Sequence, residues 1–212
     1  MKFDRYSWID STSQCNISLP VRTAAMMFCI TLYSEEYTSL NATLLSIKDS
    51  LKAYFTKNKA LLQPIKLCII CDGLQHLSTS VKEHIYHQQW IDARVETAAS
   101  ENGIHVFQTR GIFSEDKTST TPRQDNAAIN IYTEIIIKPK NKGKLDSHWW
   151  FFNKLCKSHN PKYGFQVDTG TLLKPAALSE MIGTFRENPH AAAVASNVLI
   201  EPKEPAGLLQ QF

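Results

Sequence analysis

Charged side chains gather in two places that a folded chain could bring together. One apolar run, residues 163–167, ends on Asp168, and an earlier one is followed by four lysines at alternate positions, Lys138, Lys140, Lys142 and Lys144. Strands of a parallel sheet end at one edge, where the ligands of α/β folds bind. Ammonium groups bind phosphate oxygens, and carboxylates hold hard divalent cations. The pattern therefore suits a pyrophosphate with Mg²⁺ or Mn²⁺, although each piece alone also fits a solvated basic loop or an ordinary turn.

Some of these residues receive specific roles. Asp168 is the predicted metal ligand, and Lys144 is the predicted phosphate contact because it lies nearest to the start of the next helix. Asp146 or Ser147 is expected to cap that helix. His148 either contacts the ligand or caps the helix, and both roles stay open.

The turns after the first two predicted strands carry further candidates. An apolar run over residues 24–32 predicts a strand, and the following periodicity predicts a helix whose buried face holds Leu40, Leu44, Ile47, Leu51 and Tyr54. The turn between them, residues 31–36, lies where backbone N–H groups face a ligand. The next predicted strand, residues 65–71, closes on Asp72 and Gly73. A carboxylate there can accept the uracil N3–H, although an ordinary turn residue explains the same pattern.

The remaining apolar runs complete an α/β pattern. We expect further strands over residues 103–108, 132–137 and 191–200. A helical face is expected from Ala177 to Phe185, and the core is expected to include Trp150, Phe151 and Leu155. Residues 111–130 are rich in Ser, Thr, Asp and Asn and predict a loop. Residues 1–23 show no clear period and are interpreted as a lead-in or an amino-terminal cover, followed by one domain over residues 24–212.

Composition narrows the classes of protein. A chain of 212 residues fits one domain, and 43% hydrophobic with 20% charged residues is ordinary for a globular protein. The net charge of +3 is too small to predict a nucleic-acid partner. No apolar run reaches the roughly 18 residues of a membrane span, and no signal-peptide core follows Met1. The chain is therefore expected to be soluble and cytoplasmic.

The cysteines are expected to be reduced. There are five, an odd number, and several lie in apolar runs. Cys68, Cys71, His84 and His87 come close to the spacing of a zinc finger. Residues three apart on a strand point to opposite faces, so Cys68 and Cys71 are not expected to share a metal ion.

Three groups of residues carry a resemblance to a known family. The longest begins with Lys140-Asn141 and Lys144, continues through Ser147-His148 and Trp150-Phe151-Phe152-Asn153, and ends with Asp168-Thr169-Gly170-Thr171. In this order and spacing, these residues resemble the chitin synthases, which are processive, inverting family-two glycosyltransferases. Thr31-Leu32-Tyr33-Ser34-Glu35 resembles the family's turn beside the uridine, with serine in place of asparagine, and Asp72-Gly73 resembles its nucleoside-binding pair. Trp149 departs from the arginine or leucine that is common in the family at that position.

The resemblance implies a Rossmann-like GT-A nucleotide-diphospho-sugar transferase fold. It implies transfer of N-acetylglucosamine from UDP-N-acetylglucosamine to a growing β-1,4-linked chitin chain, with Mg²⁺ or Mn²⁺ on Asp168. The UDP-sugar-binding residues that it implies are Thr31, Tyr33, Glu35, Asp72, Gly73, Lys144 and His148. It also implies a full-length protein at the cytoplasmic face of the plasma membrane, held there by segments absent from this chain.

The resemblance covers only the donor half of the family's catalytic domain, so the domain is expected to be incomplete at its carboxyl end. The family's Glu-Asp-Arg and Gln-x-x-Arg-Trp motifs do not occur here, and its general base is expected beyond Phe212. The isolated chain is therefore expected not to polymerise sugar. A non-catalytic UDP-sugar-binding module and a related processive β-glycosyltransferase with another sugar stay open. A dehydrogenase-like domain is disfavoured, because no Gly-x-Gly-x-x-Gly follows the first predicted strand.

Overall fold

A mixed six-stranded sheet forms the centre of the protein. The computed structural model describes residues 7–10, 24–58, 64–87, 103–110, 131–138 and 140–199. The strands are β1 (Ser7–Asp10), β2 (Met26–Leu32), β3 (Ile65–Cys71), β4 (Gly103–Arg110), β5 (Ile131–Ile137) and β6 (Tyr163–Asp168), in the spatial order β1-β4-β5-β3-β2-β6. The neighbours β5, β3, β2 and β6 are parallel, whereas β1 and β4 are antiparallel additions at one side. The predicted α/β fold is confirmed.

Helices cover both faces of the parallel strands β2, β3 and β5. They are α1 (Tyr37–Asn58), α2 (Thr79–His87), α3 (Lys144–Trp150) and α4 (Ala177–Glu187). The helix that begins with α3 continues through a π-helical segment, Phe151–Cys156, and one more α-helical turn, Lys157–His159. The apolar face predicted for α1 is buried as expected, at Leu40, Leu44, Ile47, Leu51 and Tyr54.

Alternation along the strands divides the core into two layers. On β2, Phe28 and Ile30 pack with α1, α2 and α4, whereas Met27 and Cys29 pack with Phe151 of the π-helical segment. This two-sided burial explains why the parallel strands read as continuous apolar runs. The same alternation places Cys71 in the first layer and Cys68 in the second, which confirms that these cysteines cannot share a zinc ion.

The strand expected over residues 191–200 needs correction. Residues 191–199 form no strand, and Val198 and Leu199 are 75% and 69% exposed. An apolar run forms a strand only where a sheet edge pairs with it, and no such pairing exists among the residues that the structure describes. Ser7–Asp10, within the predicted lead-in, pairs with β4 as a strand too short to show a period. The predicted loop over residues 111–130 lies outside the described ranges.

The expected cap of α3 is also wrong. The helix begins at Lys144, after Gly143, and no side chain caps it. Gly143 has a φ of +81°, which an L side chain rarely adopts, so the backbone itself turns the chain into the helix. Asp146 lies in the first turn and bonds instead to the Lys138 ammonium group. His148 lies inside the helix, which rules out its capping role.

A buried ionic cluster joins the sheet to the far end of this helix. Lys66 Nζ lies 2.5 Å from Glu134 Oε1 and 2.9 Å from His159 Nε2. The side chains of the three residues are exposed by 8% or less. Burial raises the pKa of Glu134, but the His159 hydrogen bond and the Lys66 charge outweigh it and hold the pKa below the ordinary 4.5. This pairing stabilises the ionised carboxylate in the folded protein.

Glu134→Gln should reduce the free energy of unfolding by about 3–5 kcal/mol at neutral pH, because it leaves the buried Lys66 ammonium without its carboxylate. The pKa of Glu134 is lower in the folded state than in the unfolded state. Its stabilising contribution is therefore complete above pH 4.5 and is lost as the pH falls through the folded-state pKa. Urea denaturation of the 212-residue chain at a series of pH values measures both effects.

Asp49→Asn is the matched control, since Asp49 is exposed on α1. It should change stability by less than about 0.5 kcal/mol. A Glu134→Gln protein as stable as this control, or a difference that widens below pH 4.5, would contradict the assignment of the cluster as a stabilising ionic contact.

Candidate functional site

The carboxyl ends of β2, β3, β5 and β6 form one edge, which we call the carboxyl edge. In register, Thr31 lies beside Asp168. The backbone pairing continues past the strands, because Asp72 N donates to Leu32 O at 2.9 Å and Lys138 N donates to Cys71 O at 2.9 Å. Across four strands this edge spans about 14 Å, from a spacing of about 4.8 Å. Because α1 and α3 cover opposite faces of the sheet, the strand order changes direction at this edge. Such a switch point is where α/β sheets bind ligands.

The end of β2 and the turn after it hold three of the predicted donor-binding residues. The Thr31 carbonyl accepts a hydrogen bond from Thr169 Oγ1 at 2.7 Å. Glu35 Oε2 accepts one from Tyr33 N at 2.7 Å, so this carboxylate orders its own turn. The Tyr33 ring is 38% exposed, and its hydroxyl lies 3.3 Å from His76 Nδ1. Thr31 and Tyr33 therefore lie at the edge, and His76 is a neighbour that the sequence did not indicate.

Asp72 and Gly73 follow β3 as predicted, but Asp72 is not an isolated acceptor. Its Oδ1 accepts a hydrogen bond from Lys142 N at 3.1 Å and lies 2.8 Å from Lys138 Nζ. Gly73 has a φ of +94°, and an added Cβ would approach His76 Cδ2 to 2.9 Å. Only glycine fits this position without strain. The pair thus forms a tight turn that brings a carboxylate against the lysine loop.

The four lysines separate into one buried and three exposed side chains. Lys138 is 2% exposed, and its Nζ also lies 2.8 Å from Asp146 Oδ2. The other three lysines, Lys140, Lys142 and Lys144, are exposed. Sequence analysis gave Lys138 no separate role. The available signal was its position directly after β5, where the apolar run ends and the alternation still points inward.

The predicted phosphate contact and the predicted metal ligand form an ion pair. Lys144 Nζ bonds to Asp168 Oδ2, with side chains 51% and 46% exposed. At such exposure an ion pair contributes little stability and exchanges readily. Asp168 Oδ1 is enclosed and has no hydrogen-bond partner within the described ranges. A carboxylate with one unpartnered oxygen and one held by a displaceable ammonium group fits a hard divalent cation such as Mg²⁺ or Mn²⁺.

His148 lies one helical turn after Lys144, on the same face of α3. Burial lowers the pKa of His148, and the nearby Lys144 charge lowers it further against the opposing effect of Asp168. The imidazole is therefore neutral at pH 7. Its Nε2 atom is enclosed and has no partner among the parts of the chain that the structure describes. His148 and Asp168 thus each keep one unsatisfied polar atom in the region around Lys144.

Polar side chains of α1 hold the turn that follows Asp168. Thr43 Oγ1 accepts a hydrogen bond from Gly170 N at 2.9 Å, and Ser46 Oγ accepts one from Leu173 N at 3.1 Å. Gly170 has a φ of +93°. Sequence analysis missed these supports. Thr43 and Ser46 lie three residues apart on one helical face, but nothing in the sequence shows that this face meets a loop some 127 residues away.

Comparison with known proteins defines the family. The profile of a chitin synthase-like glycosyltransferase domain matches residues 26–210. The chain belongs to this family. Chitin synthase 1 of Phytophthora sojae (strain P6497) is 24% identical over 198 residues, which cover 85% of this chain and 21% of that protein. The chain thus spans about a fifth of the length of this relative.

Membership of the chitin synthase-like family confirms the resemblance read from the motifs, and the parallel sheet is consistent with a GT-A-like domain. Family membership supports glycosyl transfer rather than the hydride transfer of a dehydrogenase. Among the described helices of this chitin synthase-like chain, none is both long and apolar enough to cross a membrane.

Gly170→Ala and Gly183→Ala should change stability in opposite directions. An added Cβ meets no atom within 4 Å at either position. At Gly170 the positive φ alone should cost about 1–2 kcal/mol. Gly183 lies inside α4, where alanine should stabilise the chain by about 0.5–1 kcal/mol. Thermal unfolding of both variants measures this, and equal shifts would contradict the left-handed turn after Asp168.

Proposed function

We propose that this chain supplies the UDP-sugar and metal site of an enzyme that transfers N-acetylglucosamine from UDP-N-acetylglucosamine to a growing β-1,4-linked chitin chain. Family membership supports glycosyl transfer. The observation that carries the proposal is the pairing of Lys144 with Asp168 at one end of the carboxyl edge, with Asp72 two strands away from Asp168. A cationic side chain, a carboxylate and a hydrogen-bond acceptor in this arrangement match the phosphate, metal and base parts of a nucleoside diphosphate.

The base part of the donor is assigned to the turns after β2 and β3. Asp72 accepts the uracil N3–H, and Gly73 keeps the backbone close to the base. The exposed Tyr33 ring offers an apolar face, and stacking of a base on an aromatic ring contributes about 1–3 kcal/mol. Thr31 and Glu35 hold the turn that carries this ring.

The phosphate part is assigned to α3 and the end of β6. When bound at Asp168, Mg²⁺ or Mn²⁺ stabilises the charge of the leaving pyrophosphate. Lys144, released from Asp168, then pairs with a phosphate oxygen. The neutral His148 can donate or accept one hydrogen bond through its unpartnered Nε2, which suits a phosphate or sugar oxygen. In the free protein, Lys144 thus neutralises the carboxylate that later holds the cation.

The acceptor side belongs to the proposal for the whole protein. The Glu-Asp-Arg and Gln-x-x-Arg-Trp motifs, which the family uses for the general base and the acceptor channel, are absent from these 212 residues. A missing general base lowers the rate by roughly 10²–10⁴. We therefore assign polymerisation, and placement at the cytoplasmic face of the plasma membrane, to a longer protein that contains this chain.

Calorimetry with UDP tests the donor site. Wild-type chain should bind UDP in Mn²⁺ at least about tenfold more tightly than in chelator, because the cation links Asp168 to the pyrophosphate. Asp168→Asn should abolish this difference. Uridine, which has no phosphates, serves as the control ligand and should bind equally with and without Mn²⁺. Equal UDP affinity in metal and chelator would exclude the metal role, and a preference for NAD over UDP would exclude the proposed donor.

Lys144→Ala should weaken UDP binding by about tenfold to a hundredfold, since a hydrogen bond to a charged group contributes about 1.5–3 kcal/mol. Lys142→Ala is the matched control. The Lys142 side chain is exposed, and its contact with Asp72 is made by the backbone, which alanine retains. It should change the affinity less than about threefold, by calorimetry under the same conditions. A larger loss for Lys142→Ala would show that the lysine loop is placed in the wrong register.

A further inference from the structure

Lys138 places a buried ammonium group at the carboxyl edge. It is 2% exposed, and its Nζ lies 2.8 Å from Asp72 Oδ1 and 2.8 Å from Asp146 Oδ2. It also approaches the Gly143 carbonyl oxygen at 3.5 Å. Enclosed in this way, Lys138 cannot reach a phosphate as the exposed lysines can. Because burying an ammonium group costs free energy, the role of Lys138 lies in what it does to its carboxylate partners.

Two donors hold the Asp72 carboxylate. Its Oδ1 accepts a hydrogen bond from Lys142 N and pairs with Lys138 Nζ. A carboxylate held in this way cannot rotate without breaking both contacts. It is therefore presented in one fixed orientation, which is how a binding group is preorganised.

We propose that Lys138 is a positioning residue that fixes the Asp72 carboxylate in the orientation in which it reads the N–H group of the donor's nucleobase. This inference rests on the proposed UDP-sugar site and deepens it. Lys138 touches no substrate itself. It acts through Asp72, and it determines how strongly the site prefers a base with an N–H at that position.

The second partner of Lys138 connects the base end of the site to the phosphate end. Asp146 lies in the first turn of α3, two residues after Lys144. Through Lys138, the carboxylate that reads the base is tied to the helix that carries the phosphate-binding lysine. The ammonium group thus fixes the spacing between two subsites that a single nucleoside diphosphate must fill together.

The preference for UDP over N3-methyl-UDP, measured by calorimetry in Mn²⁺, tests this role. Methylation removes the N3–H, so wild-type chain should prefer UDP by about tenfold to a hundredfold. Lys138→Met should reduce the preference to near one, while the affinity for pyrophosphate with Mn²⁺ changes less than about threefold. Asp72→Asn should also bring the preference near one, and the double variant Lys138→Met/Asp72→Asn should show no further loss.

Two more variants keep the test decisive. Lys140→Met removes the same charge from an exposed position and should keep the wild-type preference. If Lys138→Met does not melt cooperatively, Lys138→Met/Asp146→Asn replaces it. That variant removes the ammonium group together with its outer carboxylate, so the net charge is unchanged, and its preference should again be near one.

The outcomes separate the inference from the function on which it rests. If Lys138→Met weakened UDP, N3-methyl-UDP and pyrophosphate equally and kept the preference, Lys138 would be only structural and the inference would be overturned. A wild-type chain that binds UDP without preferring it to N3-methyl-UDP would overturn the inference and leave the UDP site standing. A wild-type chain that binds neither nucleotide would overturn the proposed function as well.

Discussion

Burial of the three parallel strands β2, β3 and β5 on both faces is the constraint on which this structure depends. α1, α2 and α4 cover one face and the helix that begins with α3 covers the other, so the strand interiors hold mostly apolar side chains. Polar groups that must meet a ligand can then stand only where the strands end. Parallel pairing places all of those ends at one edge, which gathers Thr31, Asp72, Lys138 and Asp168 from distant parts of the chain.

Two lysines in this interior are both neutralised by carboxylates, but they have different roles. Lys66 contacts Glu134 and His159 beneath the helix, near the opposite end of the strands from the carboxyl edge. This contact stabilises the fold. Lys138 contacts its carboxylates at the carboxyl edge itself. The same chemistry therefore holds the helix to the sheet at one depth and, in our proposal, orders a binding group at the other.

The exposed charges of the site neutralise one another before any ligand binds. Lys144 pairs with Asp168, and this pair is accessible enough to be exchanged at little cost. In the proposed function, a nucleotide that binds with a divalent cation supplies a new partner for each member of this pair. His148 Nε2 and Asp168 Oδ1 are two of the enclosed atoms that have no partner in the described part of the chain, and the proposal assigns polar ligand atoms to them.

The sequence by itself determined the strands β2 to β6, the main helices and the residues at the carboxyl edge, because hydrophobic periodicity and strand-end residues are local properties. It could not determine the partners of those residues. Lys138 looked like one of four similar lysines until the alternation of β5 turned it inward against Asp72 and Asp146. The start of α3 and the exposure of residues 191–199 likewise depended on a glycine turn and on missing strand pairing. Burial and pairing across long sequence separations are decided only when the sheet assembles, so only the tertiary structure separated the buried Lys138 from the exposed Lys144.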